Sequence, residues 1–234
     1  MRLLVIIPAF NEFPTIREVC NDLHRQSPSY DFLVVDDGST DRTRLWLRAN
    51  GIPHIGMPIN VGIGGAMQAG YRWALLRGYQ CALQLDGDGQ HPANQIPLLV
   101  EEMERTGADL VLGSRFRTAS EYRQSALRMT GTLILRTWMT VFAGASVSDP
   151  TSGFRLVNRR ILERFAGDYP SDYPEVETLT DLLLNGFCVR EVTVTMRKRS
   201  CGKTSIGWDR AVYYMLKVPF AMMLRHRGAQ RTAV

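Results

Sequence analysis

The chain has no apolar run of the ~18 residues that a membrane-spanning helix needs. Its most apolar late segment, Val212 to Leu224, is interrupted by Lys217 and Pro219. A membrane contact is open to such a chain, but a crossing is not expected. Cysteine is sparse and scattered: Cys20, Cys81, Cys188 and Cys201 form no Cys-x-x-Cys pair. That spacing argues against a zinc site or disulfide framework and suits a reducing cytosol. His24, His54, His91 and His226 show no metal-ligand spacing either. The opening apolar run stops at Pro8 without a small-residue cleavage site, so it reads as a buried strand rather than a signal peptide. No repeat, low-complexity tract or linker divides the 234 residues.

What is present is ordinary for a folded protein. Hydrophobic residues make up 45% and charged residues 22%, which excludes a disordered chain and allows a sizeable core. The formal charge of +5 suits an anionic partner, whether nucleotide, phospholipid or nucleic acid. Sign alone does not choose among them, but no nucleic-acid-binding module is recognisable, so nucleic acid is the weakest reading.

The first half alternates short apolar runs with amphipathic stretches. Strands are expected at Leu3 to Ile7, Phe32 to Val35, Ile52 to Met57 and Cys81 to Leu85. Helices are expected at Thr15 to Gln26, Thr40 to Ala49 and Gly64 to Leu76, the second opened by capping residues Ser39-Thr40-Asp41. This alternation predicts right-handed crossovers and a mostly parallel α/β sheet, whose ligands bind at the carboxyl ends of the strands. The second half is less regular. It predicts a helix over Ile96 to Arg105, a strand over Asp109 to Leu112 and a long helical segment over Glu121 to Ala143. A loop from Asp149 to Phe154 follows, then short helices over Ile161 to Phe165 and Glu177 to Leu184 and a strand over Val189 to Met196. The end of the chain reads as a basic glycine-containing loop and a helical segment over Trp208 to Arg227. The expected division is a catalytic domain over 1–206 and an amphipathic, basic tail over 207–234.

The fourth strand ends in Asp86-Gly87-Asp88-Gly89-Gln90. Carboxylates at i and i+2 of an extended segment point the same way and can share one hard divalent cation, with Gln90 adding a neutral oxygen. Asp-Gly turns also occur at strand ends without any metal. Asp36-Asp37 closes the second strand beside Gly38. One of the pair is expected to accept hydrogen bonds from a base or ribose, and the other to support the loop. Asn60 to Ala66 is glycine-rich but lacks a downstream acidic fingerprint and a Gly-Lys-Ser/Thr ending, so close packing of the helix is its favoured role.

Taken in order, IPAFNE at 7–12, VVDDGSTD at 34–41, NVGIGGAMQAG at 60–70, LDGDGQHP at 85–92, GSR at 113–115 and DPTSGFR at 149–155 resemble family-two glycosyltransferases. The resemblance is closest to the branch of dolichyl-phosphate mannose synthase and the bacterial enzymes that load sugars onto polyprenyl phosphate. It implies a GT-A fold, a nucleotide-sugar donor and a metal, Mg2+ or Mn2+, on the acidic motif. Pro8, Ala9, Phe10, Glu12, Asp36, Asp37, Gly65, Asp86 and Gly87 would then bind the nucleotide-sugar, with Asp37 reading the base. Asp86, Asp88 and Gln90 would hold the metal. Phe10 stands where many relatives have tyrosine, which removes a hydroxyl but keeps the ring.

The same resemblance places Ser114, Arg115, Arg128, Arg199 and Lys203 on the acceptor phosphate, the last two from the basic loop after the sixth predicted strand. Catalytic roles fall to Asp88, Arg115 and Glu177, the last as a helix glutamate near the site. Asp149 and the loop after it are expected to wall the site without a catalytic role. The expected activity is inverting, metal-dependent transfer of a hexose or N-acetylhexosamine from a UDP- or GDP-sugar to polyprenyl phosphate. Leu127 to Phe142 and Trp208 to Leu224 carry broad apolar faces, so the enzyme is expected on the cytoplasmic face of the membrane as a peripheral protein. A small membrane-protein anchor and a homo-oligomer are both compatible with those faces. The rival readings are transfer to a saccharide acceptor, and a non-catalytic nucleotide-sugar-binding subunit.

Overall fold

The computed structural model describes residues 1–13, 15–115, 140, 147–172 and 174–197. Strand β1 (Leu3–Ala9) lies inside the sheet, between β2 and β4, and its side chains alternate between two cores. Leu4 and Ile6 enter one, while Leu3, Val5 and Ile7 enter the other. A strand buried on both faces has to be apolar throughout, which is why this run shows no polar alternation. Helix α1 (Thr15–Gln26) covers the second face through Ile16, Val19, Cys20 and Leu23, a stripe at helical spacing. Its limits are those the sequence predicts.

Strand β2 (Asp31–Asp36), helix α2 (Thr43–Ala49), strand β3 (His54–Gly56), helix α3 (Gly62–Leu76) and strand β4 (Cys81–Gln84) complete the first half. A 3-10 turn over Ala93–Gln95 leads into α4 (Ile96–Thr106), which is stopped by Gly107 in the left-handed region at φ 65°. Then come β5 (Leu110–Ser114), β6 (Arg155–Val157), α5 (Arg159–Gly167), α6 (Pro174–Leu184) and β7 (Val189–Thr193). Asn158 caps α5 by accepting the Ile161 N–H at 3.1 Å.

The described strands form a seven-stranded sheet in the order β3-β2-β1-β4-β6-β5-β7. The β3-β2-β1-β4 block is parallel throughout, whereas β6 runs antiparallel to both β4 and β5. Helices α3, α5 and α6 pack on one face and α1 and α4 on the other, giving the three-layer, mostly parallel architecture expected of a GT-A fold.

Several expectations shift. Helix α2 starts at Thr43, because Ser39 to Asp41 are drawn into a loop with Asn11 before the helix begins. Strand β3 is shorter than Ile52 to Met57, and β7 ends at Thr193 rather than Met196. Strand β6 carries no signal of its own at three residues. The helical segment over Glu121 to Ala143, apart from Thr140, and the tail over 207–234 lie outside the described residues.

Candidate active site

Because β1, β2, β3 and β4 are parallel, their carboxyl ends share one edge, and the polar segments that close them meet there. Asp37 N–H donates to the Ala9 carbonyl at 2.8 Å and Met57 N–H to the Asp36 carbonyl at 2.8 Å, which ties three strand ends together. Gly38, at φ 75°, approaches Asn60 so closely that an added Cβ would lie 2.7 Å from the Asn60 nitrogen. Glycine is therefore required twice over at that turn, by backbone conformation and by space.

Asp36 and Asp37 divide their work in a way the sequence does not show. Asp36 is fully buried, accepts the Ser39 N–H at 3.2 Å and is ion-paired to Arg44 of α2. With both oxygens engaged and no surface left, it braces the loop and has no face for a nucleotide. Asp37 accepts the N–H groups of Val61 and Gly62 at 2.8 and 2.9 Å. Burial raises its pKa, the two N–H donors oppose the rise, and the neighbouring Asp36 charge adds to it. Asn11, which sequence reading passed over, sits in the left-handed region at φ 55°. Its side-chain oxygen accepts from the N–H groups of Thr40 and Asp41 at 2.8 and 3.2 Å, and its own N–H donates to Ser39 Oγ at 2.9 Å. It staples the first loop to the second and leaves the adjacent Phe10 ring 44% exposed at the edge. Asparagine's tolerance of positive φ was the only available signal.

In the glycine-rich stretch, an added Cβ on Gly64 would collide with the carbonyl oxygens of Pro170 and Ser171, and Gly64 N–H donates to Ser171 at 3.2 Å. Close packing accounts for that glycine. Gly65 faces the Val61 side chain within the same turn.

The acidic motif lies against the end of β1. A Cβ on Gly87 would meet the Pro8 carbonyl at 3.0 Å and Glu12 Cγ at 3.7 Å, so Pro8, Ala9 and Glu12 flank the motif. The Asp86 N–H donates to His91 Nδ1 at 3.1 Å, and the His91 ring stacks on Phe154 with centroids 4.9 Å apart. The histidine thus props the motif from behind. Asp88 is buried and accepts the Gln90 N–H at 3.0 Å, folding the motif back on itself. Asp86 keeps about a third of its side chain exposed, at 31%, and accepts from Gln84 Nε2 at 3.2 Å. On its far side a Cβ on Gly153 would sit 2.8 and 3.0 Å from the Asp86 carboxylate oxygens.

Among the described residues no group of three His, Cys, Asp or Glu side chains could enclose a metal by itself. Two hard carboxylates and an amide oxygen are the donor set that suits Mg2+ or Mn2+ when substrate oxygens and water complete the shell. Gly153 lets its backbone lie against the Asp86 carboxylate, and Asp86 keeps about a third of its side chain open to substrate oxygens and water, so the residues present fit such an ion.

Across β4 the site is built by the loop before β6. Asp149 is fully buried and holds Arg115 in a two-pronged pair, Nε to Oδ2 at 2.7 Å and Nη2 to Oδ1 at 2.8 Å. Thr151 Oγ1 accepts from the same Nη2 at 3.2 Å. Ser114 is buried with its Oγ 2.7 Å from Ser148 Oγ. Glu191 of β7, unmarked by any motif, accepts the N–H groups of Ser148 and Asp149 at 3.0 and 3.1 Å and the Ser148 hydroxyl at 2.9 Å. Asp149 therefore aims Arg115, and Glu191 aims Asp149. Arg128, Arg199 and Lys203 lie outside the described residues.

Beneath this loop Arg155 is fully buried, donating to the Ser152 carbonyl at 2.7 Å, the Glu175 carbonyl at 3.2 Å and Thr178 Oγ1 at 3.1 Å. It fastens the first turn of α6 to the sheet. Glu175 in that turn has a raised pKa: burial raises it most, the Arg155 charge opposes, and the Asp86 charge raises it further. The Asp86 charge is thus felt at Glu175, two residues before Glu177, the helix glutamate expected near the site. The two are about 200° apart around the helix, so they face different surroundings. Spacing alone does not separate them: Glu175 precedes buried Thr178 and Leu179 by three and four residues, and Glu177 precedes buried Thr180 by three and Asp181, which is paired with Arg164, by four.

Residues 4–165 match the family described as glycosyl transferase family 2. The chain is 30% identical over 227 residues to a polyprenol monophosphomannose synthase of Mycolicibacterium smegmatis, covering 93% of this chain and 85% of that protein. It is 36% identical over 165 residues to an undecaprenyl-phosphate mannosyltransferase of Micrococcus luteus, covering 66% of this chain and 65% of that one. Its fold matches glucosyl-3-phosphoglycerate synthase from Mycobacterium tuberculosis, solved with Mn2+, UDP and phosphoglyceric acid, at a TM-score of 0.72 and 21% identity. That match covers 96% of this chain and 78% of the other. With the motif order, the sheet and the family match in agreement, this GT-A glycosyltransferase belongs to glycosyl transferase family 2.

Proposed function

We propose that the chain transfers a hexose or N-acetylhexosamine from a UDP- or GDP-sugar to polyprenyl phosphate, with inversion at the anomeric carbon. Both relatives described above are named for polyprenyl carriers, and one of them aligns with 93% of this chain. The observation that carries the reading is the loop from Asp149 to Phe154. Near one end Asp149 holds the Nε and Nη2 edge of Arg115, the guanidinium expected on the acceptor phosphate, and near the other Gly153 abuts Asp86 of the donor motif. One short loop thus joins the candidate acceptor-binding arginine to the donor carboxylates.

In this reading Pro8, Ala9, Phe10, Glu12, Asp37, Gly65 and Gly87 surround the nucleotide, and Asp86, Asp88 and Gln90 hold a divalent ion. That ion would offset the charge gathering on the nucleoside diphosphate as it leaves. The acceptor phosphate oxygen is ionised at neutral pH. It can attack the anomeric carbon without a base, forming one C–O bond as the bond to the diphosphate breaks. Ser114, Arg115, Arg128, Arg199 and Lys203 place it. Among the described residues no helix is long and apolar enough to cross a membrane; the polyprenyl carrier is what would bring the enzyme to the cytoplasmic face of the membrane as a peripheral protein.

One observation favours a second reading. The desolvated Glu175 beside Asp86 is the kind of carboxylate that could take a proton from a sugar hydroxyl, as a saccharide acceptor would require. The deciding assay is purified chain with Mn2+, a panel of UDP- and GDP-sugars, and polyprenyl phosphate in anionic-lipid micelles. Formation of a lipid-linked sugar is expected. No such product with any donor, while glycans accept the sugar, would reject the first reading for the second.

A further inference from the structure

The carboxylate of Asp22, near the end of α1, lies far from the acidic motif in sequence and directly behind it in space. It is buried, accepts the Ala93 N–H at 3.0 Å just past the motif, and pairs with the Arg197 guanidinium at 3.1 Å. Arg197 in turn donates its backbone N–H to the Gln90 carbonyl at 3.0 Å. Two residues earlier, Thr195 N–H donates to Gln95 Oε1 at 3.2 Å. The segment leaving β7 is therefore stitched along residues 90–95, immediately before the basic residues Lys198, Arg199 and Lys203. The clamp roofs a cavity of about 60 Å3 bordered by Val19, Asp22, Gly89, His91 and Ala93, so the motif is not close-packed from behind.

We infer that Asp22 is a positioning residue: through Arg197 it holds the start of the basic segment in register with the acidic motif, so that filling the donor site and placing the acceptor are coupled. Placement supports a positioning role over a purely structural one. Arg197 has about half of its side chain exposed, at 48%, while Asp22 has a tenth, so the pair is neither a surface pair of negligible worth nor a fully buried one. What points to positioning is that the contact joins the acidic motif to the start of the basic segment, and such a join can transmit a shift between them. By linkage, whatever the nucleotide does for the acceptor, the acceptor does equally for the nucleotide.

The inference rests on the proposed transfer to a phosphate acceptor, and its test separates the two. Full-length wild type, Asp22→Asn, Arg197→Gln and the double variant would be compared. Asp22→Asn keeps an oxygen for the Ala93 N–H while removing the charge. Hydrogen exchange at the Arg197 amide would be read with and without Mn2+ plus UDP and Mn2+ plus GDP, beside acceptor kinetics with polyprenyl phosphate. In the wild type, one nucleotide should slow that amide about fivefold, a typical coupling. Asp22→Asn and Arg197→Gln should abolish the slowing. Both should raise the acceptor KM about tenfold with kcat within about twofold, and the double variant should be no worse than either single one. A wild-type amide that neither nucleotide slows, slowing that survives in both single variants, or single effects that multiply in the double would each overturn the inference. Wild type that shows the slowing yet makes no lipid-linked sugar would overturn the acceptor assignment and leave the coupling standing.

Discussion

The two halves of the sheet hold ligand-facing residues by different means. On the β3-β2-β1-β4 side every strand is parallel, and the turns that close the strands are joined mainly by backbone N–H donors, which give to the Ala9 carbonyl, the Asp37 carboxylate and the Asn11 side-chain oxygen. On the β6-β5-β7 side the direction reverses at β6, and charged side chains do the joining: Glu191 to Ser148 and Asp149, Asp149 to Arg115, Arg155 to the first turn of α6. A side chain that takes neutral N–H groups costs, when lost, about 1–3 kcal/mol for each donor left buried and unpaired. A site built from buried charges fails when any one partner is removed, because the other is left uncompensated.

Predictions that could break this contrast run from the largest effect to the smallest. Asp88→Ala should cut kcat/KM by about a thousandfold, the scale for losing a preorganised group that answers developing charge, with folding intact by circular dichroism. A loss below tenfold would remove the acidic motif from the chemistry. Asp149→Ala should cost about 3–5 kcal/mol in urea unfolding, because Arg115 loses its buried partner. A loss under 1 kcal/mol would show that charge pairing does not hold the second half together. Gly153→Ala places a methyl 2.8 Å from an Asp86 oxygen. It should weaken Mn2+–nucleotide binding about tenfold, or roughly 1.4 kcal/mol, and unchanged calorimetric affinity would mean the loop does not border the donor.

The smallest effect concerns the seam between the halves. Folded Glu175 titrates above the ordinary carboxylate range because of burial and Asp86. The folded chain therefore keeps that proton to a higher pH than the unfolded chain, and stability falls as pH rises from the ordinary carboxylate value through the raised one. Glu175→Gln removes this slope. Its melting temperature should match the wild type near pH 4, where both forms are protonated, and exceed it by a few degrees near pH 8. A variant less stable than wild type at the higher pH would show that the charged carboxylate is welcome where it stands.

The same contrast governs how much of the molecule was legible. Helix α1 reads correctly to the residue because Ile16, Val19, Cys20 and Leu23 mark its buried stripe without outside information. The convergence of the first strand ends follows from parallel topology, which alternation alone predicts. Strand β6 was invisible because three residues have no period, and only its neighbours make Arg155 to Val157 a strand. Glu191 looks like the outward residue of an alternating strand, since its partners lie more than forty residues away in sequence. Choosing Glu175 over Glu177 needs the phase of α6, and recognising that Asp36 is spent internally needs Arg44 of the following helix.

The reversal at β6 also bears on how such a protein can be altered. Since β5 ends and β6 begins at the same edge, the described chain that stops at Arg115 and the described chain that resumes at Val147 lie together there, joined by the Ser114 and Ser148 hydroxyls 2.7 Å apart. A segment whose two ends already meet adds little closure entropy when it is lengthened or exchanged. An insertion or exchange between Arg115 and Val147 therefore starts from two ends that the described fold already holds together.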